Sequence, residues 1–112
     1  MPAPFRAAAD ISVDVRQGQW LFASISRLVV LRTIIELERA SGAEVRRETG
    51  LGTSHKILRE LESRGYVIST SDKRVRFDEV IFVPALDKIG QDLGALGLWL
   101  AGKRRLLSPE VS

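Results

Sequence analysis

The sequence contains no cysteine and a single histidine, His55. It therefore has no disulfide framework, no Cys-His catalytic pair and no zinc site of the usual cysteine and histidine composition. The Gly-Leu-Gly at 50–52 lacks the strand and helix context of a dinucleotide-binding loop, and adjacent carboxylates such as Asp78 and Glu79 do not mark a recognisable pocket. We expect a protein that is not an enzyme and needs no metal ion and no cofactor.

Long hydrophobic runs are also missing. The longest nearly apolar stretch, Leu93 to Gly102, has about half of the ~20 residues that cross a bilayer, and the N-terminus lacks the apolar core of a signal peptide. We expect no membrane contact and a cytoplasmic location.

A chain of 112 residues predicts one domain with a modest core. Residues 1–10, rich in Pro and Ala, predict a disordered lead, and residues 108–112 a short tail.

The stretch SGAEVRRETGLGTSHKILRELESRGYV, residues 41–67, carries the clearest local signals. Ser41 and Glu44 have the spacing of a capping box, which predicts a helix over about residues 43–49. Gly50 should end that helix in the left-handed conformation, and the side chain of Leu51 should pack beneath the turn.

A second helix should follow directly. Thr53 is a suitable N-cap, and the helix should continue to about Arg64. Gly65 should end it, because glycine is the usual residue after a helix C-terminus. Residues 66–68, Tyr-Val-Ile, then predict a strand.

The order of helix, tight turn, helix, glycine and strand resembles the winged helix-turn-helix domain of the bacterial MarR, ArsR and PadR-like transcriptional regulators. Residues 58–67, LRELESRGYV, carry most of the resemblance. It implies a mainly α fold with a small β-hairpin wing (α+β) over residues 11–84. It also implies sequence-specific binding to double-stranded DNA, with the second helix in the major groove.

The second helix is amphipathic. A helical wheel places Ser54 with the aliphatic residues Ile57, Leu58 and Leu61 on one face. The opposite face has Gly52, Lys56, Arg59 and Ser63, with His55 and Glu60 at its edges. These side chains can donate hydrogen bonds to phosphates and purine edges. The alternative is an ordinary solvated helix surface.

Positive charge is concentrated in the same region. Residues 46–76 contain eight basic and four acidic residues, whereas the rest of the chain has nine basic and ten acidic residues. This distribution is typical of a protein that contacts a phosphate backbone, although chance clustering gives the same pattern. The predicted DNA-binding residues of the two helices are Arg46, Arg47, Thr53, Ser54, His55, Lys56, Arg59 and Ser63.

Residues 68–83 predict a β-hairpin with its tip at 71–73. Lys73, Arg74 and Arg76 lie at or beside this tip. By the resemblance, such a hairpin is the wing that contacts the adjacent minor groove or backbone. The alternative is that these cations protect an exposed sheet edge from aggregation.

The N-terminal half predicts a strand and a long helix. Residues 11–15, Ile-Ser-Val-Asp-Val, alternate apolar and polar, as a half-buried strand does, and this strand would pair with Val80–Val83. Residues 17–19, Gln-Gly-Gln, predict a break. A helix should then cover residues 20–40, with Ser24 or Ser26 as a point of division.

The last helix is predicted over residues 85–107, after Pro84. It has a coiled-coil seam and, about 100° around the helix, a stripe of glycines that favours close approach of another helix. We expect it to form a homodimer, although it could also fold back onto Trp20, Leu21 and Phe22 of its own chain. The predicted dimerisation residues are Leu86, Ile89, Gly90, Leu93, Gly94, Leu96, Gly97 and Leu100.

The sequence therefore predicts a homodimeric, nucleoid-associated DNA-binding protein, most simply a transcriptional repressor. A winged-helix module that binds other proteins is the alternative of a different class, because this fold serves both purposes. A plasmid or phage partition or replication protein would use the same DNA-binding chemistry. A small-molecule effector is compatible with this function, but the sequence does not indicate a pocket that would bind one.

Overall fold

The computed structural model describes residues 11–70 and 75–102. These residues form a mainly helical fold with a small three-stranded antiparallel sheet, in agreement with the coarse α+β class. None of the helices in these two ranges is long and apolar enough to cross a membrane. The elements, in chain order, are α1 (Val13–Phe22), α2 (Ile25–Leu37), β1 (Ala40–Ser41), α3 (Gly42–Thr49), α4 (Ser54–Ser63), β2 (Val67–Ser69), a 3-10 turn (Phe77–Glu79), β3 (Ile81–Pro84) and α5 (Leu86–Ala101).

The predicted strand over residues 11–15 is wrong, because most of this segment belongs to α1. Ser12 is the N-cap of α1, and its hydroxyl accepts a hydrogen bond from the backbone N–H of Val15 at 3.3 Å. The predicted break at residues 17–19 lies inside the same helix. A good N-cap and packing of the buried Val15 therefore decide the local structure against the alternating pattern.

The long helix predicted over residues 20–40 is divided in two, at one of the two serines that the sequence indicated. Ser24 leaves the helical conformation, with φ −135° and ψ 120°, and its hydroxyl accepts from the backbone N–H of Arg27. Ser24 is therefore the N-cap of α2, whose last residue is Leu37.

The sheet has the order β1-β3-β2, with both pairs antiparallel. The sequence predicted that residues 11–15 would pair with the strand at 80–83. In the structure β1 pairs with β3 instead, and its Ala40 lies opposite Phe82. Ser69 of β2 lies opposite Phe82 from the other side. Phe82 is fully buried, so the centre of the sheet packs directly on the core. The predicted hairpin tip at 71–73 lies outside the described residues.

The helix pair α3–α4 follows the predicted boundaries to within about one residue. The Ser41 hydroxyl accepts from the Glu44 backbone N–H at 3.1 Å, and a Glu44 carboxylate oxygen accepts from the Ser41 backbone N–H at 2.8 Å, so the predicted capping box is present. Gly50, with φ 69°, has the left-handed conformation that was predicted to end α3. Gly65, with φ 85°, follows α4 in the same way.

Helices α2 and α4 each contribute three buried apolar residues to the core. The apolar face of α4 is buried as the helical wheel predicted, with Leu58 and Leu61 fully inaccessible. Tyr66, which directly precedes β2, and Phe82 of β3 pack in the same cluster. One face of α4 is thus fixed against the core, which leaves the opposite face to solvent.

Helix α5 packs along α1 of its own chain. The two helices approach closely at Gly18, where an added Cβ would lie 2.6 Å from the backbone oxygen of Asp92 and 3.1 Å from the Cβ of Leu96. The Gln91 side-chain amide donates to the Asp14 carboxylate at 3.0 Å. The glycine that permits close helix packing within the chain is therefore on α1, whereas a Cβ at Gly94 would meet nothing within 4 Å.

The predicted dimerisation residues divide into buried and exposed groups. Ile89 and Leu96 are buried within the chain, and Leu93 packs against the core. Leu86 and Leu100 are exposed, and a Cβ at Gly90 would meet nothing within 4 Å. The alternative prediction was that this helix folds back on its own chain. It explains why Ile89, Leu93 and Leu96 of the predicted seam are packed within the chain. The last helix was predicted to continue to residue 107, but residues 103–107 lie outside the described residues.

Candidate nucleic-acid interface

The solvent-facing side of α4 and the turn before it form one continuous surface. Its residues line an open concavity of ≈ 620 Å³ and are Gly52, Thr53, His55, Lys56, Arg59, Glu60 and Ser63. Five of the predicted DNA-binding residues lie together here. We call this set of seven residues the α4 face.

Ser54, which was also predicted to bind DNA, is only 1% exposed and lies on the buried side of α4. Its side chain is therefore not part of the α4 face. The helical wheel already placed it among the apolar residues, and its burial follows from that position.

The N-terminus of α4 has no side-chain cap. Thr53 occupies the N-cap position with φ −92° and ψ 7°, and its hydroxyl makes no capping hydrogen bond. The Ser54 N–H donates to the Leu51 carbonyl at 3.2 Å, so among the first-turn amides those of His55 and Lys56 have no side-chain cap. The helix dipole makes this end attractive to an anion. The hydroxyl of Thr53 is exposed beside these amides.

Phe77, from the 3-10 turn, contacts two residues of the α4 face, His55 and Arg59. Its ring stacks on the His55 imidazole with centroids 3.7 Å apart and an angle of 18° between the planes. It lies against Gly42 as well, where an added Cβ would be 2.7 Å from Cε2 of the ring. The ring is thus wedged between the start of α3 and the exposed side of α4, and it restricts the imidazole of His55.

Arg59 is held by contacts on two sides. Its Nη1 donates to the Glu62 carboxylate at 2.8 Å, and its Cζ lies 5.0 Å from the centroid of the Phe77 ring. The other oxygen of Glu62 accepts from the Ser69 hydroxyl at 2.7 Å. The hydrogen bond from Ser69, together with Arg59, lowers the pKa of Glu62, so this carboxylate is ionised at neutral pH.

Arg46 forms a bidentate ion pair with Asp78, with N–O distances of 2.9 and 3.1 Å. This pair joins α3 to the 3-10 turn and lowers the pKa of the Asp78 carboxyl. Arg46 was predicted to bind DNA, and its guanidinium already has a carboxylate partner. Its charge is therefore partly neutralised on this surface.

The remaining predicted cations differ in their surroundings. Within residues 11–70 and 75–102, Arg47, Lys56 and Arg76 belong to no ion pair, and all three are exposed. Lys73 and Arg74 lie outside the described residues. Of the described Lys and Arg residues predicted to bind DNA, these three have no carboxylate partner that would compete with a phosphate group.

Sequence reasoning missed four residues that shape this surface: Glu62, Ser69, Phe77 and Asp78. The only local signal among them was the i, i+3 spacing of Arg59 and Glu62, which allows an ion pair on one helix face. The other contacts join residues that are distant in sequence, so no local pattern indicates them.

The described part of the chain has no group of three or more His, Cys, Asp or Glu side chains that could hold a metal ion. No protein-family model matches the chain, and no curated protein or solved structure matches it. The α4 face is therefore interpreted from its own chemistry.

Proposed function

We propose that this protein binds double-stranded DNA by inserting the α4 face into the major groove. The observation that carries the proposal is the arrangement of α4 itself. One side is fixed in the core by Leu58 and Leu61, and the other presents an arginine, a lysine, a histidine and the Thr53 hydroxyl around one open concavity. The major groove admits an α-helix, and these side chains are donors for purine edges and phosphates. The hydroxyl of Ser63, also predicted to bind DNA, already donates to the Glu60 carbonyl at 2.8 Å.

In this proposal the residues of the α4 face have different roles. Arg59 lies in the middle of the helix and reads a guanine, the base that arginine contacts most often. Thr53, the side chain of Lys56 and the backbone N–H groups of His55 and Lys56 hold phosphates, which fixes the position of the helix on the duplex. Arg47 and Arg76 lie outside α4 and contact the flanking backbone.

We further propose that the binding unit is a homodimer and that it represses transcription by occupying a promoter. Support comes from large apolar side chains that the described chain leaves exposed. Leu98 and Leu100 at the end of α5 are 60% and 68% exposed, and Phe22 and Ile25 at the α1–α2 junction are 55% and 76% exposed. Exposed apolar side chains grouped in this way favour burial against another protein.

The parallel course of α1 and α5 places the two apolar groups at the same end of the molecule. Asp14 pairs with Gln91, and Gly18, one turn later, meets Asp92 and Leu96. The two helices therefore advance together, and both groups follow at their C-terminal ends. A second copy would bury both, and a symmetric dimer would place two α4 faces on half-sites about 34 Å apart.

Selection of bound sequences from random duplex DNA, followed by footprinting, tests this function. The expected result is an enriched palindromic site whose affinity falls steeply with salt, because a phosphate binder releases condensed counterions. Arg59→Ala should weaken binding to the enriched site by about 1–3 kcal/mol.

Arg32→Ala is the matched control, because it also removes an exposed arginine that pairs with a glutamate on its own helix, but on α2. It should leave binding to the enriched site unchanged. Failure to enrich any sequence, together with salt-independent binding, would refute the proposed function. In that case the exposed apolar groups favour the second candidate, a module that binds another protein.

A further inference from the structure

The carboxylate of Glu62 joins two elements of the fold. One oxygen accepts from the guanidinium of Arg59 on α4, and the other accepts from the hydroxyl of Ser69 on β2, at 2.8 and 2.7 Å. The side chain of Glu62 is 30% exposed, so the pair is partly shielded from water. The strand therefore fixes Glu62, and Glu62 in turn fixes Arg59.

Aromatic rings restrict the same guanidinium from another direction. Its Cζ lies 5.0 Å from the centroid of Phe77 and 6.0 Å from that of Phe82. An arginine in free solution samples many rotamers and loses that freedom when it binds a base. A guanidinium that is already oriented by a carboxylate and by aromatic faces loses less, and its remaining donors point in defined directions.

We propose that Glu62 is a positioning residue for base recognition. In this inference the chain of contacts Ser69–Glu62–Arg59 sets the direction of the arginine donors, so that Arg59 contacts a guanine and discriminates against the other bases. The inference rests on the proposed function, because it concerns how the α4 face distinguishes one DNA sequence from another.

Two simpler roles for Glu62 make different predictions. If the carboxylate acts only as a negative charge, its removal strengthens binding to every DNA sequence alike, since repulsion of phosphates is lost. If it acts only as a brace between α4 and β2, its removal lowers stability, and the effect on binding is the same with or without Arg59. Positioning through Arg59 instead changes the preference for one sequence and requires Arg59.

The experiment compares Glu62→Gln with Glu60→Gln. Glu60 is the matched control, because it lines the same concavity on the same helix and forms no ion pair among the described residues. Each variant is made in the wild-type chain and in the Arg59→Ala background. Affinities are measured at one salt concentration for the enriched duplex and for a scrambled duplex of the same length.

We expect Glu60→Gln to strengthen binding to both duplexes alike. Glu62→Gln should lower the ratio of enriched to scrambled affinity by about fivefold to tenfold, a partial loss of the discrimination that a bidentate arginine supplies. This loss should disappear in the Arg59→Ala background, because two residues that act through one contact are not additive.

Ser69→Ala provides a second route to the same test if Glu62→Gln does not fold, as judged by thermal melting. It leaves the charge of Glu62 in place and removes only its support, so a smaller fall in the affinity ratio is expected. A Glu62→Gln variant that behaves like Glu60→Gln, or whose loss persists without Arg59, would overturn the inference alone. A wild-type chain that enriches no sequence would overturn the proposed function, and this inference with it.

Discussion

Substitution of Gly18 by alanine tests the packing of α1 on α5. The added Cβ would lie 2.6 Å from the carbonyl oxygen of Asp92, 3.2 Å from its carbonyl carbon and 3.1 Å from the Cβ of Leu96. Two of these three atoms belong to the backbone of α5, which cannot rotate aside as a side chain can. The two helices must therefore separate, or the substitution is strained.

The expected change combines two opposing terms. Alanine inside a helix is favoured over glycine by up to ~1 kcal/mol, whereas overpacking costs about 1–3 kcal/mol. The net effect of Gly18→Ala should be a loss of up to about 2 kcal/mol in the free energy of unfolding. Gly94→Ala is the matched control, since its Cβ would meet nothing within 4 Å, and it should gain up to ~1 kcal/mol.

Urea denaturation measures both changes, provided that the slope with denaturant is the same in all variants. The difference between the two variants isolates the clash and should be about 1–3 kcal/mol. The measurement is repeated at several protein concentrations, because packing of a second copy on Gly94 would reverse the sign for that variant as the dimer forms. A Gly18→Ala protein at least as stable as Gly94→Ala at low concentration would refute the packing described for α1 and α5.

Two further predictions concern polar contacts. Tyr66→Phe removes the hydroxyl that donates to the buried carboxylate of Asp92 at 2.7 Å, which leaves Lys88 as the remaining side-chain partner of Asp92 among the described residues. Thermal melting should show a loss of about 1–3 kcal/mol in the free energy of unfolding. An unchanged melting midpoint would contradict this. Asp78→Asn should lower the melting temperature near neutral pH. Arg46 lowers the folded-state pKa of Asp78, so the ion pair stabilises the fold above the unfolded-state pKa and this stabilisation is lost as the pH falls through the folded-state pKa. The melting temperatures of the two proteins should therefore converge in acid. A difference that stays constant with pH would refute the role of the pair.

Local signals in the sequence predicted the α3–α4 unit well. The capping box at Ser41, the left-handed Gly50 and the buried face of α4 all depend on residues within one or two turns of each other. Such features are decided by backbone hydrogen bonds and helical periodicity, which the sequence displays directly. The division of the N-terminal helices at Ser24 belongs to the same class.

The errors occurred where distant parts of the chain decide the outcome. Alternation over only five residues, 11–15, is compatible with a strand and with the first turn of an amphipathic helix, and the cap at Ser12 together with burial of Val15 favours the helix. Residues 17–19, with Gly18 at their centre, were predicted to be a break, and glycine does weaken an isolated helix. The actual surroundings of Gly18 show a different reason for this glycine, which is the contact with α5 that no local pattern reveals.

The same distinction applies to the α4 face. Periodicity identifies which side chains of α4 are exposed, but it does not indicate how they are held. Phe77 reaches His55 and Arg59 from about twenty residues away, and it fits only because Gly42 leaves room for its ring. Ser69 reaches Arg59 through Glu62 from the neighbouring strand. In the proposed function, the strands and the 3-10 turn therefore contribute to base recognition without touching a base, since they orient the side chains that do.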